Sequence, residues 1–213
     1  MTLVLEESLV KSRERVKSYG EVFTPRHMVD RMLDLVSDEL EGPGFVDKTF
    51  LEPSAGDGNF LVAILERKLA GVEKTFDSAL WPQESLFALA SIYGIELLED
   101  NHQEAKAAML ETFLDFHRGH GTTCHAGTNL HRAATFLLDT NIVQGNTLTA
   151  LDADGREIHF SWWHRVPDVP GAVQREIFRF ASLREDSMFD FAVHDTYAVC
   201  QINQVHHEMR THA

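Results

Sequence analysis

The chain has 213 residues, 44% of them hydrophobic and 24% charged, which is enough apolar material for one globular core with at most a short appendage. A formal net charge of -14 excludes strong unaided binding to nucleic acid, because lysines and arginines that neutralise phosphates supply most non-specific affinity. Cys124 and Cys200, the two cysteines, are too few for a disulfide framework and fit a reducing, cytoplasmic setting, and MTLVLEESLVKSRER reads as neither a secretory leader nor a membrane span.

Residues 1–20 read as an N-terminal helical arm with KSRERVK as a solvated basic face, and residues 21–213 as the main domain. Gly20 and Pro25 punctuate the junction. From Pro25 onward Met28, Val29, Met32, Leu33, Val36 and Leu40 recur at helical spacing, with Thr24 placed to cap and Pro25 suited to the first turn. EGPG at 41–44 ends that helix. Residues 48–52 (KTFLE) form a short β-type run, followed by PSAGDGN and then by Phe60, Leu61, Ile64, Leu65 and Leu69 at helical spacing.

A second strand is expected in SIYGIEL (91–97), an amphipathic helix over 99–117, a third strand at 141–145 and a fourth at 188–194 (MFDFAVH). YAVCQI (197–202) either pairs with the fourth strand or continues elsewhere. Residues 117–135 and 152–187 interrupt this order, and Trp162 and Trp163 in the second interruption read as core or interface. Strands alternating with helices predict an α/β fold with a mostly parallel sheet, and in such sheets ligands sit beyond the carboxyl ends of the strands.

Two strand ends carry candidate ligand chemistry. Gly56 and Gly58 follow a strand and open a helix, so a ligand can approach the backbone there, with Glu52 at the strand end placed to receive a cationic amino group. Glu96, ending the second strand, suits the two hydroxyls of a ribose. The competing reading of each is an ordinary tight turn and a surface acid.

GEVFTP, FLEPSAGDGNF, IYGIEL and IVQGNTL together resemble the cofactor motifs of the adenine-specific DNA methyltransferases of restriction-modification systems. The resemblance covers residues 20–150. It implies a class I methyltransferase, Rossmann-like sheet with helices on both faces, and a pocket for S-adenosylmethionine. Phe23, Thr24 and Pro25 would close over the methionine part, Glu52, Pro53, Ala55, Gly56 and Gly58 would lie along the methionine and ribose, and Glu96 would take the ribose hydroxyls. Asn146 stands where the family usually has Asp, and its amide oxygen can still accept from the adenine amino group.

The family's catalytic motif reads Asn or Asp, Pro, Pro, aromatic, whereas this chain reads FDFAVHDTYAVC. Asp195 stands where the target amine would be held and Tyr197 where a flipped base would stack, without the prolines that stiffen the loop. The sheet is also expected to be incomplete after its fourth strand, since only 16 residues follow Tyr197. That strand's edge is then covered by residues 197–205, by a second copy of the chain, or by helices.

Two functions follow. One is methyl transfer to the exocyclic amine of an adenine in DNA through Asp195 and Tyr197. The other is a catalytically silent S-adenosylmethionine-binding subunit, acting with a partner or homodimer that supplies basic surface and sequence recognition. His117, His120, Cys124, His125 and His131, like Cys200, His206 and His207, follow no defensible zinc spacing, so no metal is expected.

Overall fold

A computed structural model describes residues 9–183 and 195–207. Of the expected arm, α1 (Arg13–Tyr19) is helical, capped by the Ser12 hydroxyl and ended by Gly20 at φ 68°. Arg13 and Lys17 are exposed, as expected of a solvated basic face, but Lys11 and Arg15 are engaged in ion pairs. Lys11 pairs with Asp100 at 3.0 Å, and Arg15 pairs with Asp100 at 2.6 Å and with Glu21 at 2.5 Å. These contacts pin the arm to the start of a later helix and consume cations that a nucleic-acid surface would need.

The helix expected from Pro25 to Leu40 is divided into α2 (Arg26–Asp34) and α3 (Ser37–Glu41). Val36, a β-branched residue with weak helix propensity, leaves the helical region at φ -120°, ψ 27°. The cap of α2 also differs from expectation, since Pro25 occupies the N-cap and no side chain caps the helix. A single 3₁₀ turn (Phe45–Asp47) leads into β1 (Phe50–Glu52), and α4 (Asn59–Thr75) follows the glycine loop. On the core face of α4, among Leu61, Ile64, Leu65 and Leu69, stands the fully buried Lys68. Its ammonium donates to the carbonyls of Phe45 (2.7 Å), Val46 (3.1 Å) and Lys48 (2.7 Å) and to Ser91 Oγ (2.8 Å).

An element with no amphipathic signature comes next. In α5 (Trp81–Ala90) every residue from Glu84 to Ala90 is buried, so no polar face marks the helix, and Pro82 in its first turn is the one local signal. It precedes β2 (Ile92–Glu96), α6 (Glu99–Gly119), α7 (Asn129–Asn141), β3 (Ile142–Asn146) and β4 (Leu151–Asp152). The expected interruption at 117–135 thus holds the end of α6 and the start of α7, whose N-cap is the Thr128 hydroxyl. Asn141 ends α7 instead of opening the strand.

The main sheet has four strands in the order β1-β2-β3-β4, with β1, β2 and β3 parallel and β4 antiparallel to β3. All five residues of the central β2 are buried, as expected for a parallel strand covered on both faces. The fold is therefore α/β with a mixed four-stranded sheet and helices.

The interruption expected at 152–187 contains an antiparallel hairpin, β5 (His159–Arg165) and β6 (Ala172–Arg179). Beyond it, β7 (Asp195–Thr196) and β8 (Cys200–Gln201) both pair with β6, and a 3₁₀ segment (Ile202–His207) follows. The strand expected at 188–194 lies outside the described residues. Tyr93 Oη on β2 donates to Ser161 O on β5 at 2.7 Å, joining the two sheets, and Trp163 Nε1 on β5 donates to Asn141 Oδ1 at the end of α7 at 3.0 Å, within one shared apolar core. Trp163 belongs to that core, whereas Trp162 is 39% exposed and stacks on His164.

Among the described residues no helix is long and apolar enough to cross a membrane, and no group of three or more His, Cys, Asp or Glu is arranged to hold a metal. His117 instead lies fully buried on α6, between the Phe113 and Phe116 rings, with Nε2 3.0 Å from Ser85 Oγ. Burial pushes its pKa down to about 4, and nearby His120 adds to the shift.

A base with a depressed folded-state pKa binds fewer protons folded than unfolded, so its contribution to stability is complete above about pH 6.5 and is lost as pH falls to 4. The expected loss over that window is about 3 kcal/mol. Melting temperatures from pH 7 to 4.5 should fall less steeply in His117→Phe than in the natural chain. Equal slopes would remove His117 as the cause.

Candidate functional site

The carboxyl ends of β1, β2 and β3 meet in one cleft of about 300 Å³, at the small end of the range for small-molecule sites. The loop after β1 contributes Pro53, Ser54 and Gly56, β2 contributes Glu96, and β3 contributes Gly145 and Asn146. The arm and the segment after it form the opposite wall through Tyr19, Glu21 and Phe23.

Glycine is required at both loop positions for separate reasons. Gly56 has φ 57°, and a Cβ there would stand 3.3 Å from the Phe23 ring, so the bare backbone lets this ring close against the loop. Gly58 has φ 98° and is the N-cap of α4, and a Cβ there would come within 2.8 Å of Ala105 Cα on α6. Gly58 therefore serves helix packing, while Gly56 lines the cleft.

Glu96 organises the floor. Its carboxylate accepts from Gly56 N at 2.7 Å and from Leu98 N at 2.9 Å, joining the end of β2 to the glycine loop and to the turn before α6. Ala55 N donates to Ile95 O at 2.9 Å, extending the β1–β2 pairing into the loop, and Ala55 itself is buried. Thr147 Oγ1 donates to Pro53 O and ties the β3 loop across to the β1 loop.

Other residues singled out from the sequence are placed differently. Glu52 turns its carboxylate onto Ser54 N at 3.0 Å and does not line the cleft, and its partial burial raises its pKa. Thr24 presents its carbonyl to Asn59 Nδ2 at 3.3 Å, holding the FTP segment to the start of α4. Asn146 does line the cleft, but its Oδ1 accepts from Leu148 N at 2.9 Å and Thr149 N at 3.3 Å, closing its own turn.

Asp195 and Tyr197 lie away from these loops, in and beside β7 on the second sheet. The Tyr197 ring is buried, with the Arg175 guanidinium 4.7 Å from its centre. Neither residue lines the cleft.

Two cleft residues were not singled out in the sequence. Asn101 on α6 is 1% exposed and its Oδ1 has no hydrogen-bond partner among the described residues, while its Nδ2 stands 3.5 Å from Glu96 Oε1. Glu21 has a side chain only 7% exposed, with one oxygen held by Arg15 and Oε1 likewise without a partner among the described residues. The available signal was the position of Glu21 directly inside GEVFTP.

Among the described residues the cleft presents two carboxylates, Glu21 and Glu96, and no Lys, Arg or His side chain. No protein-family model, curated protein or solved structure matches this chain. The chemistry of the cleft follows from its residues. An acid-lined cleft repels phosphates, which glycine loops in nucleotide sites hold with help from cations and helix N-termini, and it favours ligands that bring hydroxyl or ammonium hydrogens.

Proposed function

We propose that the cleft binds S-adenosylmethionine or its demethylated product, and that the chain is the cofactor-binding component of a DNA adenine amino-methyltransferase-like system. The observation that carries this reading is a glycine loop facing two carboxylates and, among the described residues, no cation at the carboxyl ends of parallel strands. A sulfonium nucleoside with ribose hydroxyls and an ammonium group suits such a lining, and a dinucleotide or nucleoside triphosphate does not.

Phe23 and Gly56 would bound the ligand, Glu96 would receive hydroxyl hydrogens, and Asn146 would border the base. When bound, the cofactor supplies an electrophilic methyl group for transfer to an amine. The burial of Tyr197 under Arg175 supports the silent, partner-dependent form of this function over autonomous catalysis by Asp195 and Tyr197. The acidic chain then meets DNA through a partner subunit with basic surface.

Calorimetric titration is the test. S-adenosylmethionine or S-adenosylhomocysteine should bind with a micromolar dissociation constant, whereas ATP and NAD should not bind at comparable concentrations. No heat from either adenosyl ligand at millimolar concentration would overturn the assignment. Methylation of duplex DNA by the pure chain alone would overturn the silent form and restore Asp195 and Tyr197 as candidates.

A further inference from the structure

We infer that Glu21 and Asn101 are ligand-contacting acceptors in the cleft, positioned to receive hydroxyl or ammonium hydrogens, and that Glu21 connects this contact to the N-terminal arm through Arg15. The inference rests on the cleft being an adenosyl-ligand site and adds recognition groups that the strand-end motifs leave unassigned.

A buried oxygen without a donor costs on the order of 1–3 kcal/mol, and folded proteins keep few of them. Here the two residues that carry such oxygens, Glu21 at Oε1 and Asn101 at Oδ1, line the same cleft, one on the segment after α1 and one on α6, and a small side-chain turn would open each oxygen to a ligand. Among the described residues no lysine or arginine lines the cleft, and Arg15, the guanidinium beside Glu21, is bonded to its other oxygen. Both would be satisfied by a ligand that brings hydrogens.

The surroundings hold both groups in place. Glu21 is fixed at its other oxygen by Arg15 Nε at 2.5 Å, and Arg15 also reaches Asp100, the residue before Asn101, through Nη1 at 2.6 Å and Nη2 at 3.0 Å. The same guanidinium therefore ties both walls together. The paired carboxylates hold the Arg15 pKa above its ordinary value, and Arg15 in turn holds the Asp100 pKa below the usual carboxylate range, so this tie stays charged across neutral pH. A ligand hydrogen-bonded to Glu21 and Asn101 would bridge the two walls from inside the cleft, as Arg15 does from outside.

The test compares Glu21→Ala and Asn101→Leu with the natural chain by calorimetry, using S-adenosylhomocysteine and adenosine as probes, alongside melting temperatures without ligand. Each variant should weaken S-adenosylhomocysteine at least about tenfold, the scale expected for a lost charged or buried hydrogen bond. An equal loss for adenosine assigns the contact to ribose hydroxyls, and a loss confined to S-adenosylhomocysteine assigns it to the ammonium group. Affinities within twofold of the natural chain in both variants would overturn the inference.

If the natural chain binds neither probe, the adenosyl reading fails by itself and the melting temperatures decide. Acceptors kept for a ligand should leave the unliganded protein as stable or more stable when removed. A fall of more than about 4 °C in both variants, in the range that 1–2 kcal/mol produces in a domain of this size, would mark them as structural and overturn the inference.

Discussion

Replacing Lys68 by methionine should destabilise the protein by about 4 kcal/mol, a large part of the 5–15 kcal/mol that holds a typical domain together. Methionine matches the stem of lysine but brings no hydrogens. The carbonyls of Phe45, Val46 and Lys48 would then be left inside the core without the donor that now satisfies them. Ser91 would suffer less, because its hydroxyl also donates to Ala88 O at 2.8 Å.

The lysine has its own cost. Burial pushes its pKa down to about 7 while Asp47 opposes the shift, so between pH 7 and the unfolded value of 10.5 the unfolded chain binds more protons, and stability should rise as pH rises through that window. Urea denaturation should show both effects: a lower midpoint for Lys68→Met at pH 7.5, and a weaker gain between pH 7 and 9 than the natural chain shows. A loss below about 1 kcal/mol would mean that water or a shifted backbone serves the carbonyls as well as the ammonium does. Because the 45–48 turn leads directly into β1, the variant should also loosen the loop that borders the cleft.

The same lysine illustrates what was legible in the sequence. Leu61, Ile64, Leu65 and Leu69 announced α4 by their spacing, and Lys68 sits at the position that this spacing assigns to the core. A charge on an apolar face was a visible anomaly, but its four acceptors come from a turn and a helix end about 20 residues away, which no periodicity encodes. The parallel strands were legible because short apolar runs ended in Glu52, Glu96 and Asn146 before loops. Helix α5 and the hairpin β5–β6 were not. In α5 burial on all sides erases the amphipathic period, and in β5 the alternation is broken, with Phe160 and Ser161 both buried while Trp162 is partly exposed.

The site divides along the same line. Gly56 and Glu96 were readable because a strand, a glycine turn and a second strand-end acid are local patterns, and they do share the cleft. Glu52, although adjacent in sequence, spends its carboxylate on Ser54 N, and the acid that reaches the cleft from the other wall is Glu21. Its placement depends on Arg15 and on the docking of the arm against α6, which are tertiary contacts. Asn101 was hidden in the polar first turn of α6, where burial beneath the arm is not visible from spacing.

Glu96→Ala should have the largest effect on ligand binding, weakening S-adenosylmethionine about 100-fold or more. Two losses add. The acceptor proposed for the ribose hydroxyls disappears, which alone costs about 1.5–3 kcal/mol for a charged hydrogen bond. In addition, the N–H groups of Gly56 and Leu98 lose the carboxylate that fixes the glycine loop against β2, so the loop must be ordered when the ligand binds.

Glu96→Gln separates these contributions. An amide can accept from only one of the two N–H groups and turns its own NH₂ toward the other, so the loop should remain half restrained and the affinity should fall between those of the natural chain and the alanine variant. Calorimetry at equal salt, with melting temperatures as a control for folding, gives the ordering. If the glutamine variant binds as weakly as alanine, the negative charge itself is the requirement. If both bind as well as the natural chain, Glu96 neither receives the ligand hydroxyls nor orders the loop for binding, and the hydroxyls must be received elsewhere in the cleft, with Glu21 and Asn101 as the remaining acceptors.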